Sequence, residues 1–191
     1  MDRATSHGDK HAGAVEEAFR GVEGPIADFG CGEGIFAGRP GYVGLDREEG
    51  SAAGVRADIR RVPLRDGVCA GVLCVNALHL VPDPLRVLEE VDRILRPGGR
   101  AYVKNRWYKT SGRRRDPGSL LARCAHQASF WLHGVAHGRT SLFTRANPDG
   151  TRAICPGCFR RWFESRGYRV EFPATHVAVL AKPATGFTAR R

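Results

Sequence analysis

Apolar positions along the chain follow two rhythms. Residues 25–29 (Pro25-Ile26-Ala27-Asp28-Phe29) form a short apolar run that closes on glycines, which predicts a first strand. Residues 41–46 predict a second strand with an acid at its end, and 55–59 a short third. Residues 68–76 (VCAGVLCVN) are a continuous apolar run. Buried parallel strands read that way, because helices cover both of their faces. The helical rhythm marks 15–22 as amphipathic. It also places Leu85, Leu88, Val91, Ile94 and Leu95 on one face of a helix over 83–95. Pro97-Gly98-Gly99 stops that helix, and 100–105 predicts a fifth strand. Such alternation predicts an α/β domain on a parallel sheet with right-handed crossovers.

The alternation breaks at residue 106. Residues 106–155 are basic and rich in Gly and His. They contain one predicted helix over 119–135, whose apolar face includes Leu121, Trp131 and Leu132, and a turn at Asn147-Pro148-Asp149-Gly150. The regular pattern then returns. A helix is predicted over 156–165, ended by Gly167, followed by strands at 168–173 and 176–183 joined by a short turn. The organisation predicted is one domain over 1–191. It comprises a ligand-binding half over 24–105, a basic insertion over 106–155, and a closing helix and strand pair over 156–183.

Composition changes this picture little, but charge does. Apolar content of 42% and charged content of 26% are ordinary for a globular chain. The net charge of +10 is concentrated: residues 1–100 carry −3, residues 101–170 carry +11, and residues 171–191 carry +2. A contiguous basic third suits an anionic partner. A solvated, arginine-rich surface accounts for the same numbers. No apolar run reaches the length of a transmembrane helix. Residues 1–10 are polar and lack a signal-peptide region, so the cytosol or an organelle matrix is expected. Six scattered cysteines are expected to stay reduced. Cys155-Pro156-Gly157-Cys158 is a single pair without the second pair or His spacing of a zinc site, so no metal is assigned. Pro156 there reads as a helix start.

The candidate chemistry begins after the first strand, at Asp28-Phe29-Gly30-Cys31-Gly32-Glu33-Gly34. Glycines permit a tight turn and let a ligand reach the backbone. The N–H groups of a following helix start would favour a ligand's negative end. The order is acid first, in D-x-G-x-G-x-G spacing, rather than the G-x-G-x-x-G of dinucleotide enzymes. An acid at the turn suits a cationic ligand. The segment resembles motif I of the class I S-adenosylmethionine (SAM)-dependent methyltransferases. Four further segments are similar to that family, in its order. They are Asp46 ending strand two, Ala57-Asp58-Ile59 with Val62-Pro63-Leu64, Asn76-Ala77-Leu78-His79-Leu80, and Asp92-Arg93-Ile94-Leu95-Arg96-Pro97-Gly98-Gly99, which looks like "RVLRPGG".

The resemblance implies a seven-stranded Rossmann-like methyltransferase sheet with a cap inserted after strand five, and SAM as cofactor. It implies cofactor contacts from Asp28, Gly30, Cys31, Gly32, Gly34, Asp46, Arg47, Asp58, Ile59 and Asn76, with Asp46 on the ribose and the Asp58 segment at the adenine. His79 is a candidate base, since imidazole titrates near neutrality; the reading preferred is a loop histidine without a chemical role. Asn76 is a candidate for orienting SAM or the acceptor. Arg106, Trp107, Tyr108, Trp131 and His137 are candidates for holding the acceptor.

Two departures from the family stand out. Only 17 residues separate Asp28 from Asp46, so the first crossover helix is expected to be short, and Cys69-Ala70 replaces the common Phe-Asp. The acceptor expected is a small molecule. RNA is the alternative, because Lys104, Arg106, Trp107, Tyr108, Lys109 and Arg113 to Arg115 mix cations with aromatics. A basic amphipathic helix also suits weak contact with a membrane surface. A non-catalytic assembly factor on the same fold is a third reading.

Overall fold

A computed structural model of the chain describes residues 5–105, 107, 144–146, 152–174 and 176–185. The elements are α1 (Thr5–Ala18), β1 (Ile26–Phe29), β2 (Tyr42–Asp46), β3 (Val55–Arg56), β4 (Cys69–Val75), α2 (Pro84–Ile94) and β5 (Leu95–Lys104). After the insertion's hairpin of β6 (Thr144–Ala146) and β7 (Arg152–Ile154) come α3 (Pro156–Glu164), β8 (Arg169–Ala174) and β9 (Val177–Ala181). Seven strands form one sheet in the order β3-β2-β1-β4-β5-β9-β8. The first five are parallel, and β9 runs antiparallel to both β5 and β8. The sheet is therefore mixed rather than wholly parallel, because the short link between β8 and β9 allows only a hairpin.

The main core lies between the sheet, α2 and α3. Phe29, Leu45, Val72, Leu88, Val91 and Phe163 are fully or almost fully buried there. A smaller cluster of Val15, Phe19, Ile26, Phe36 and Tyr102 packs under α1. Asp83 caps α2 by accepting from the Arg86 N–H at 3.3 Å, and Pro84 fills the first turn. Cys155 caps α3 in the same way, its sulfur 3.4 Å from the Cys158 N–H, with Pro156 beginning the helix. Among the described residues no helix is long and apolar enough to cross a membrane.

Four local expectations are corrected. No crossover helix joins β1 to β2. Residues 30–41 run as successive turns, with Gly34 N–H donating to the Cys31 carbonyl at 2.9 Å and Ala37 N–H to the Gly34 carbonyl at 2.8 Å. Gly30, Gly32, Gly34, Gly38 and Gly41 all hold positive φ, and glycine at that density cannot sustain a helix. β3 ends at Arg56 instead of residue 59, because Asp58 turns the chain by accepting from the Arg60 N–H at 2.9 Å. β5 starts at Leu95 and includes Pro97-Gly98-Gly99, with the β4–β5 register shifting between Cys69 and Gly71. α1 ends at Ala18, so Phe19 and Val22 belong to the turn after it.

The described residues between β5 and α3 pack back on the sheet. Trp107, just after β5, forms a bridge with Ile154 at the end of β7. β7 also packs against the short helical turn Leu78–Leu80. The predicted helix over 119–135 and the turn over 147–150 lie outside the described residues.

Candidate cofactor cleft

The strand ends that the sheet brings together carry the glycines and acids. Gly30 and Gly32 follow β1, Asp46 ends β2, Asp58 follows β3 and Asn76 follows β4. They line a cleft of about 210 Å³ together with Arg47, Ile59 and Ala77. A crevice at the carboxyl ends of parallel strands, where strand order reverses, is where open α/β sheets hold ligands. Here β1 is the point of reversal.

Backbone geometry shapes the cleft. Gly30 holds φ +70°, and a Cβ on it would stand 2.5 Å from Ala77 Cβ, so the β1 turn and the β4 loop touch without room for a side chain. A Cβ at Gly32 would meet nothing within 4 Å, because the position faces open space in the cleft. Gly32 N–H donates to Asp46 Oδ2 at 2.9 Å, and Glu48 N–H to Asp46 Oδ1 at 3.0 Å. Two main-chain donors thus fix the Asp46 carboxylate before any ligand arrives. Asn76 is the one non-glycine at positive φ among the described residues, at 58°. Asparagine tolerates that conformation, and the Asn76 N–H donates to the Lys104 carbonyl at 2.9 Å.

Three cofactor candidates stand behind the lining. Asp28 is buried and accepts from the Tyr42 hydroxyl at 2.8 Å. Burial pushes its carboxyl up to about 6; the Tyr42 hydrogen bond opposes that and the Asp46 charge adds to it. Cys31 is buried, its N–H donates to the Leu45 carbonyl at 3.2 Å, and burial beside Asp28 and Asp46 raises its thiol. Gly34 supports the loop, since a Cβ there would be 2.7 Å from Ala52 Cβ.

His79 is buried, its Nδ1 3.0 Å from Asn105 Oδ1, while Ala77, Leu80 and Val81 on either side of it line the cleft. Trp107 lies in an aromatic group, edge-on to Phe159 at 4.8 Å and to Phe172 at 5.7 Å. The other acceptor candidates, Arg106, Tyr108, Trp131 and His137, lie outside the described residues.

Glu48 and Val81 also line the cleft and belong to none of the motif segments, whereas Ala57 and Leu80 line it from within two of them. Leu80 and Val81 carried a usable signal, being apolar residues directly after a strand-end loop. Tyr42 carried none: its tie to Asp28 depends on β1 and β2 pairing side by side.

A sheet in this order, with β9 antiparallel between β5 and β8, is the arrangement of the Rossmann-like methyltransferase folds. Residues 27–103 match the family described as "Methyltransferase domain". An uncharacterized chloroplastic methyltransferase of Arabidopsis thaliana is 30% identical over 118 residues, 48% of this chain and 34% of that one. A tRNA (carboxymethyluridine(34)-5-O)-methyltransferase of Macaca fascicularis is 33% identical over 92 residues, 41% of this chain and 14% of that one. A ubiquinone biosynthesis O-methyltransferase of Bordetella pertussis is 28% identical over 130 residues, 57% and 51% of the two chains. A solved protein of Pyrococcus horikoshii shares the fold, with a TM-score of 0.60 at 14% identity over 96% of this chain and 92% of that one. Over residues 27–103 the chain is similar to the SAM-dependent methyltransferases, and its sheet has the fold of solved proteins of that class. It spans about a third of the length of the Arabidopsis relative and half that of the Bordetella one.

Proposed function

We propose that this protein moves the methyl group of SAM to a nucleophilic atom of a small-molecule acceptor. The convergence of Gly30, Gly32, Asp46, Asp58 and Asn76 on one cleft carries this reading. The donor set fits SAM: Asp46 lines the cleft as an acceptor for hydroxyls, and the buried acid Asp28 beneath it suits a ligand that is cationic at its sulfonium and amino groups. Bound SAM supplies an already activated methyl group, so the protein's part is position and exclusion of water. Asp46, held by the Gly32 and Glu48 N–H groups, is set to accept from the ribose hydroxyls. Gly32 leaves the ligand free to lie against main chain. In this reading His79 is a positioning residue, which ties the Leu78–Leu80 turn to the end of β5 through Asn105.

The apolar rim of Leu80 and Val81 supports a small acceptor, as does the likeness to the Bordetella O-methyltransferase. Trp107 and Ile154 bridge to each other, and β7 stands beside the Leu78–Leu80 turn at the rim of the cleft. RNA is the second reading, favoured by the +11 charge of residues 101–170 and by the likeness to a tRNA methyltransferase. Titration calorimetry with SAM and S-adenosylhomocysteine tests the cofactor. Transfer of labelled methyl to metabolite pools or to total RNA tests the acceptor. RNA binding that falls by orders of magnitude between about 50 and 200 mM salt, with methyl recovered in RNA, would overturn the small-molecule reading.

A further inference from the structure

The cleft acid that the resemblance places at the adenine is already occupied. Asp58 Oδ1 accepts from Arg60 N–H at 2.9 Å and from Arg60 Nε at 3.0 Å. Its Oδ2 accepts from Arg60 Nε at 3.0 Å and from Arg60 Nη2 at 2.6 Å. Arg60 thus engages both oxygens through three N–H groups, the Nε hydrogen being shared between them. The arginine fork also holds the Asp58 carboxyl below the usual carboxylate range. Asp58 lines the cleft beside Ala57 and Ile59. An exocyclic amine arriving there finds a carboxylate already engaged by Arg60 on both oxygens.

We infer that Arg60 sets the base preference of the cleft, by occupying the carboxylate that would otherwise read an amino group on the ligand's base. The inference rests on the SAM reading of the cleft. A purine with the 6-amino group then has no advantage over one without it, because the amine must displace a bidentate guanidinium to reach Asp58. Arg60 and Asp58 are each about one-third exposed, so removing the arginine side chain leaves the core untouched. With only the residue-60 N–H remaining on Oδ1, Oδ2 becomes free to accept.

The test compares adenosine with purine riboside, the same nucleoside without the 6-amino group, as displacers of S-adenosylhomocysteine. The wild-type protein is expected to bind the two within about twofold. Arg60→Ala is expected to prefer adenosine by about tenfold, the gain typical of a hydrogen bond to a charged acceptor. Adding Asp58→Ala to Arg60→Ala is expected to erase that preference. Equal discrimination by wild type and Arg60→Ala would overturn the role of Arg60 while leaving the cofactor reading intact. So would a strong adenosine preference already present in the wild type. If S-adenosylhomocysteine binds neither protein, the SAM reading itself fails, and this inference with it.

Discussion

The glycine turn after β1 and the end of β2 are fastened by single directional bonds, whereas β5, α3 and β8 are held by packed aromatic rings. On the first side, Asp46 fastens the glycine turn through Gly32, and Tyr42 fastens Asp28. No helix covers the links from β1 to β2 or from β2 to β3. On the second side, Phe159, Trp162, Phe163 and Tyr168 meet at centroid distances of 4.7 to 5.0 Å. Asp92 of α2 then binds that side by accepting from the Tyr168 hydroxyl at 2.7 Å and pairing with Lys182 at 3.1 Å. Polar bonds can be shared with an incoming polar ligand, and packed rings cannot. The side that binds is built from the first kind, and the side that holds it still from the second.

The strongest test of that contrast is Phe163→Ala. It removes a fully buried ring from the packed side and is expected to cost about 3–5 kcal/mol of stability. Chemical denaturation measures the loss. Affinity for S-adenosylhomocysteine at low temperature, where the variant remains folded, is expected to stay within about twofold of wild type, since α3 does not line the cleft. A parallel loss of affinity would mean that the two sides are not separable.

Asp28→Asn is expected to come next. The folded carboxyl sits at about 6 against an ordinary 3.8. The folded protein therefore holds a proton that the unfolded chain releases in that window. The stabilising share of this group is present below 3.8 and is lost as pH rises through 6. Replacing it with an uncharged amide that still accepts from Tyr42 is expected to stabilise the protein above pH 6, by up to about 3 kcal/mol. A cationic ligand favours the ionised carboxylate, so wild-type SAM affinity is expected to rise through the same window and to flatten in the variant. Urea midpoints and calorimetry at several pH values check both. An Asp28→Asn protein no more stable than wild type above pH 6 would show that the buried carboxylate carries no penalty.

Asp46→Ala is expected to weaken SAM binding by about 1.5–3 kcal/mol, the cost of losing a charge-assisted acceptor. Because Asp46 also holds Gly32, ordering of the glycine turn is expected to fall with it, visible as faster amide exchange at residues 30–34. Unchanged affinity in the folded variant would remove Asp46 from the cofactor site. The smallest effect is expected at Arg39, which reaches from the β1–β2 turns to Glu16 on α1 at 3.0 Å, with the glutamate largely exposed. Arg39→Ala is expected to change stability by under about 1 kcal/mol, as exposed ion pairs do. A larger loss would show that this pair stands in for the missing crossover helix.

Local pattern in the sequence determined several elements by itself. Asp28-Phe29-Gly30-Cys31-Gly32 announced a strand and a turn, because an apolar run followed by spaced glycines has few other conformations. The spacing of Leu85, Leu88, Val91 and Ile94 determined α2 and its buried face, and Asp83-Pro84 its start. The motif order was enough to imply the seven strands and the acids at their ends. Pairing across the sheet decided the rest. The missing helix between β1 and β2 follows from five glycines that each hold positive φ, yet only their placement against Leu45, Ala52 and Ala77 shows why each turn is needed. Trp107 read as an aromatic among cations that could hold the acceptor, and it is buried against Phe159 because Ile154 returns beside it. Asp58 read as an open acceptor until the turn at Asp58 folded Arg60 back upon it. Local pattern carries the information for elements. Which polar atoms are still free to meet a ligand depends on neighbours that only the folded chain brings within hydrogen-bond reach.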